Sequence, residues 1–167
     1  RHVQVQFRSA FLTDADGVKS IDISDPRHPR LAGTLPLAGA RKLYLVRTYA
    51  YVAAGSQGLA IVDIERPEAP RLQQTFNAGG AISDAQDVKV GMTNVSLFAY
   101  VADGRNGLRV VQLTSPEYTP GNNGFSPVPA PRLIATWKTG SPAVEALRDG
   151  DRGAARLPGR DQTGRGH

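Results

Sequence analysis

Cysteine is absent from this sequence, which excludes disulfides, thiolate zinc centres and the CxxCH haem attachment motif. Histidine is nearly so: His2, His28 and His167 are the only three, and two of them are terminal, so a histidine metal cluster or a Ser/His/Asp arrangement has little to draw on. No apolar run of membrane-spanning length occurs, and no basic segment followed by an apolar one reads as a signal peptide. The motifs HExxH, P-loop, GxSxG and GxGxxG are all missing. Helix-favouring runs are scarce, whereas glycine (18) and proline (12) are plentiful. That balance points to many short strands joined by tight turns, an all-β chain. At 167 residues with 40% hydrophobic content one compact domain is expected. The first residue is Arg1 and not Met, which reads as a piece of a longer protein with any export signal upstream.

The formal charge of +5 is spread thinly. Residues 1–144 carry 15 basic and 11 acidic side chains, and residues 145–167 carry five arginines against four carboxylates. The basic residues do not cluster and are not interleaved with aromatics. A solvated surface is expected, with no nucleic acid as partner.

A repeat organises the chain. Residues 10–26, 50–67 and 99–116 align, each reading as a strand, a glycine turn, a second strand and a closing proline. Gly17, Gly58 and Gly107 occupy one turn position, where a tight hairpin favours a positive φ angle. Pro26, Pro67 and Pro116 follow the second strand, because proline has no N–H to give a ladder. In mid-strand both faces are apolar: Val18, Leu59 and Leu108 lie on one side and Ile21, Val62 and Val111 on the other. A sheet with one wet face would alternate. These strands therefore need cover on both sides, as propeller blades have when stacked around an axis. Helices could cover a parallel sheet in the same way, but no amphipathic stretch of that length separates the copies.

The expected architecture is thus β-propeller-like, with about three blades of four antiparallel strands at residues 1–38, 39–80 and 81–142. Outer strands follow the Pro-Arg-Leu triplets that begin at Pro29, Pro70 and Pro131, and inner strands are expected at 3–7, 43–46 and 88–90. The copies are 41 residues apart from Gly17 to Gly58 and 49 from Gly58 to Gly107, the extra length being assigned to loops at 79–84 and 91–97. A larger insertion separates Pro116 from Pro131. It is rich in turn residues and holds Tyr118, Asn122, Asn123 and Phe125, which makes it either a mobile decoration or a recognition loop. From about Glu145 the pattern stops, and residues 145–167, rich in Gly, Arg and Asp, are expected to be a disordered tail.

The block Leu59-Ala60-Ile61-Val62-Asp63-Ile64, with its proline-spaced continuation to Pro70, resembles the LVIVD repeat, and Ile21-Asp22-Ile23-Ser24-Asp25-Pro26 is similar to the same signature. The resemblance covers roughly residues 3–140. It implies a β-propeller in an extracytoplasmic setting, periplasmic or cell-surface, and it says almost nothing about activity. The chain also looks like the propeller regions that accompany bacterial multihaem c-type cytochromes, which implies a c-type cytochrome domain as one candidate partner. Gln112 replaces the aspartate in copy three, so that blade's corner is expected to be rearranged. Family propellers have more blades than three, and fewer than four rarely close a ring. The expectation is an incomplete propeller or open arc, completed by the remaining blades of a parent protein or by a protein partner.

Asp14-Ala15-Asp16-Gly17 superficially resembles the start of a calcium loop, but the carboxylate that would close such a loop is missing. Short polar side chains bonding their own turn explain it more simply. Asp22 and Asp63 recur once per copy, which fits a blade-corner tie better than catalysis. No catalytic residue, metal or cofactor is expected. The function expected is that of a non-catalytic interaction or scaffolding module; the alternative is an accessory propeller of a redox or hydrolytic enzyme whose centre lies elsewhere.

Overall fold

A computed structural model of the chain describes residues 2–93 and 95–146. Among these residues twelve strands form three sheets of four. The first is β1 (Val3–Gln6), β2 (Ser9–Thr13), β3 (Gly17–Asp22) and β4 (Arg30–Pro36). The second is β5 (Leu43–Val46), β6 (Tyr49–Ala53), β7 (Leu59–Asp63) and β8 (Arg71–Phe76), and the third is β9 (Asp87–Thr93), β10 (Ser96–Ala102), β11 (Leu108–Thr114) and β12 (Arg132–Trp137). Every sheet is an antiparallel meander in sequence order. The sheets form the expected open, propeller-like arrangement, and among the described residues they close no barrel.

Local chemistry sets the hairpins. Gly58 and Gly107 adopt φ of +78° and +85°, and a Cβ on Gly58 would collide with the Phe76 carbonyl of the neighbouring strand. At the other end of each blade a two-residue turn joins the inner pair of strands. Phe7, Arg47 and Val95 sit in these turns at φ of 54–59°, a strained setting for residues with side chains. The added length of copy three is distributed differently from the expectation. Residues 91–93 and 96–97 are strand, not loop: β9 and β10 pair up to Thr93 and Ser96, so the extra residues lengthen a hairpin. Residues 79–84 do form the expected connection, beginning in a short 3-10 turn, Ala78–Gly80.

Two cores lie between the three blades. Phe11 and Val18 of the first blade pack with Ala50, Val52, Ala60 and Val62 of the second. Tyr51, Leu59 and Ile61 pack with Val88, Ala99, Val101 and Val111 of the third. The middle blade alone has the two-sided burial read from the sequence, with Leu59, Ala60, Ile61 and Val62 all fully enclosed. In the end blades one face of the same strand is only partly covered. Where blade one has Ser20 in place of Ile61, its Oγ donates to the Pro67 carbonyl of blade two.

The segment after β12 returns along the path by which earlier segments begin a new blade. Gly55 of blade two bridges Ala85, three residues before Val88, and Gly104 of blade three bridges Ala143 in the same way. Three residues on, the Ala146 N–H donates to Asp87 Oδ2 at 2.9 Å. The expected disordered tail falls, from residue 147, outside the described residues.

Candidate functional site

The insertion after β11 folds as a strap over one end of the blades. It starts in a turn where the Thr119 side chain accepts the Ser115 N–H at 2.8 Å and Ser115 Oγ accepts that of Glu117. These bonds stand in for the corner tie that the first two blades make with an aspartate. There, Asp22 accepts the N–H and the hydroxyl of Ser24, while Asp63 accepts the Glu65 N–H and a guanidinium N–H of Arg71. The corner rearrangement expected from Gln112 is therefore present.

From this corner the strap crosses to other parts of the fold. Asn122 donates to the Val95 carbonyl at 3.4 Å, Ser126 Oγ meets Thr48 Oγ1 of blade two at 2.5 Å, and Gln74 of blade two donates to the Pro129 carbonyl at 2.7 Å. The four residues singled out from the sequence are not gathered at one point. Tyr118 is half-buried beneath the Arg132 guanidinium, 4.8 Å from its ring centre; burial pushes its hydroxyl above the ordinary range against the pull of that cation. Tyr118 Oη and Asn122 Oδ1 are enclosed without a hydrogen-bond partner among the described residues. Asn123 and Phe125 face outward, and Arg47 stacks on Phe125 at 5.6 Å. Phe125 also borders a hollow with Phe7 and Phe11 of blade one. The strap thus reaches all three blades.

The aspartate-rich turns are internally satisfied. Lys19 Nζ pairs with both Asp14 and Asp16, and Asp14 Oδ1 also accepts the Asp16 N–H at 2.9 Å. The hydrogen bond from Lys19 holds the Asp14 carboxyl below its usual range, and a lysine sits where a calcium reading would need more oxygen. Asp103 lies fully buried and fixes the segment before β9 by accepting the N–H groups of Ser83 and Asp84 at 3.1 and 2.7 Å, with Arg109 at 3.2 Å from its other oxygen. His28 bonds Asp25 in an exposed turn at 2.7 Å. Among the described residues no group of three His, Asp or Glu side chains is placed to hold a metal, and no helix is long and apolar enough to cross a membrane.

The LVIVD repeat matches three stretches, residues 10–35, 39–78 and 83–116, which together exceed half the chain. Each stretch covers the two central strands of one sheet, apart from Ser9 of β2. The chain belongs to the LVIVD repeat family. No curated protein and no solved structure matches it.

Between these LVIVD units lies a feature the sequence reading missed. Inner-strand side chains of one blade reach the free edge of the next: Gln4 Oε1 accepts the Leu45 N–H at 2.8 Å and Gln6 Nε2 donates to the Arg47 carbonyl at 2.9 Å. His2 Nδ1 stands at 3.5 Å from the Leu43 N–H. Burial and the nearby Lys89 cation hold His2 below its ordinary value, which suits an acceptor. At the next junction Lys42 reaches Glu145 at 3.0 Å and the buried Asp87 at 3.6 Å. Burial alone would depress Lys42, but these two carboxylates outweigh it and hold it above the usual lysine value. The His-x-Gln-x-Gln alternation at residues 2–6 was the available signal. Its meaning depends on a strand 41 residues away in the chain.

Proposed function

We propose that this chain is a non-catalytic propeller module of a larger extracytoplasmic protein or complex, and that it works by binding protein. Repeat propellers of this family are typically non-catalytic. The observation that carries the reading is the pair of end faces that, among the described residues, have no neighbouring blade. On the far side of blade three lie Phe98, Tyr100, Val110 and Trp137. By strand register they match Tyr49, Tyr51, Ile61 and Phe76, which in blade two pack against blade three. On the near side of blade one Val3 and Val5 are 57% and 62% exposed, whereas the matching Val88 and Val90 are 0% and 7% exposed. These end faces have the composition of an interior but are left partly or largely exposed, Trp137 at 71%, which marks an interaction site. Further blades or a protein partner of like shape would cover them. Asn123 and Phe125 of the strap, supported by Tyr118 and Asn122, offer a second contact area.

Photo-crosslinking inside cells tests this, with a photoreactive residue placed at Trp137, at Val5, or at Gln73 on the exposed outer strand of the middle blade. Adducts from Trp137 and Val5 but none from Gln73 are expected, in the extracytoplasmic fraction. Equal labelling from all three positions, or none from either end, would contradict the reading.

A further inference from the structure

The two blade junctions are built alike but finished differently. In an antiparallel hairpin with a two-residue turn, the pair flanking the turn is hydrogen-bonded and the pairs then alternate. In blade two Val46↔Tyr49 flanks the turn, so Leu43 and Leu45 direct their N–H and C=O groups to the free edge of β5. Gln4 and Gln6 close that edge. In blade three Thr93↔Ser96 flanks the turn, so Val88, Val90 and Met92 face the free edge of β9. The residues matching His2, Gln4 and Gln6 are now Lys42, Tyr44 and Val46. Lys42 goes to Asp87, the Tyr44 ring lies under the Lys89 ammonium at 6.0 Å, and Val46 has no polar atom. Among the described residues no side chain bonds the main chain of Val90 or Met92.

Beside this edge is a groove of about 660 Å³ between β5 and β9, walled by Tyr44, Val46, Met92 and Tyr100, within the size range of small-molecule sites. The Tyr100 ring packs on Gly91, where a Cβ would meet it at 3.3 Å. Arg47 and Lys89 line it and no carboxylate does. Arg47 has no ion pair among the described residues, and Lys89 shares Asp87, 3.8 Å away, with Lys42.

We propose that this groove binds a small aromatic carboxylic acid. The carboxylate accepts the Val90 N–H, in the role Gln4 Oε1 plays for Leu45, with Lys89 and Arg47 supplying the charge that favours an anion over a neutral amide. The tyrosine rings and Met92 take the flat apolar body. The groove runs along the β9 edge and shares Tyr100 with the far face of blade three, but the Val90 N–H, Arg47 and Tyr44 that define the proposal lie outside the end faces.

Titration of the full chain with phenylacetate, followed by amide NMR, tests it. Saturable shifts at Val90 and Met92 are expected, with phenylacetamide at least about tenfold weaker. Val46→Gln, which supplies at this junction the amide that Gln6 supplies at the first, should abolish binding while leaving the rest of the spectrum in place. Should that variant not fold, Lys89→Gln serves, with an expected loss of about tenfold. Equal binding of acid and amide, full binding by the folded Val46→Gln chain, or undiminished binding by Lys89→Gln would overturn the proposal. So would inorganic phosphate shifting the same amides as tightly, or N-acetyl-alanyl-phenylalanine binding about tenfold better than phenylacetate, since that assigns the groove to peptide ends.

Discussion

Val88 and Val3 occupy the same position in the inner strands of blades three and one, and replacing each with alanine measures what a neighbouring blade contributes. Val88 is fully buried in the core shared with blade two, and Val3 is 57% exposed. Truncating valine to alanine removes two carbon groups, at about 0.8 kcal/mol each when buried. The residual cavity at Val88 brings the total to about 2–3 kcal/mol. At Val3 the same change should stay within about 0.5 kcal/mol, as for other exposed positions. For a chain of this size each kcal/mol moves the melting temperature by about 2–4 °C. Val88→Ala should therefore melt about 5–10 °C lower, and Val3→Ala within about 2 °C of the parent. Urea titration followed by circular dichroism gives the free energies directly. A Val3→Ala cost equal to that of Val88→Ala would refute the reasoning, because it would mean that the near face of blade one is covered in solution.

Gly58→Ala forces a left-handed residue and a collision with the Phe76 carbonyl, whereas Gly79, also at positive φ, has open space around it; the first should cost more than the about 1–2 kcal/mol of conformational strain expected at the second, as read by urea titration. Asp87→Ala removes a buried carboxylate that serves Lys42, Lys89 and the Ala146 N–H; it should destabilise the chain by about 3 kcal/mol and speed hydrogen exchange at Ala146. His2 should titrate below the ordinary 6.5 in an NMR pH series. Because the folded state disfavours the imidazolium, the unfolded chain takes up the proton first as pH falls through that value. Native stability contributed by this group should thus drop below about pH 6.5, and His2→Gln should remove that part of the pH dependence; a midpoint at or above 6.5 would contradict the burial of its ring.

Some of this was legible from the residues alone, because repetition and period are local properties. The hairpin glycines, the prolines after each second strand and the two-sided apolar pattern of residues 59–62 fixed three four-stranded antiparallel units and their order. The aspartate corners, and their replacement in copy three, could also be read by comparing copies. Other features were misplaced for a physical reason. Residues 91–97 were read as a loop because added length in a repeat looks like a loop, yet strand pairing absorbed it. The insertion holding Tyr118 and Phe125 was visible as turn-rich sequence, but its course over Thr48, Arg47 and Gln74 depends on side chains 50 to 80 residues away. The same holds for Gln4 and Gln6: their alternation is in the sequence, while the free β5 edge they close exists only once two blades stand side by side. Sequence determined what each blade is, since that follows from periodicity within about 40 residues. Only the tertiary structure decided which faces are covered, which strand edges are closed, and where a groove stays open, because those depend on what neighbouring blades bring into contact.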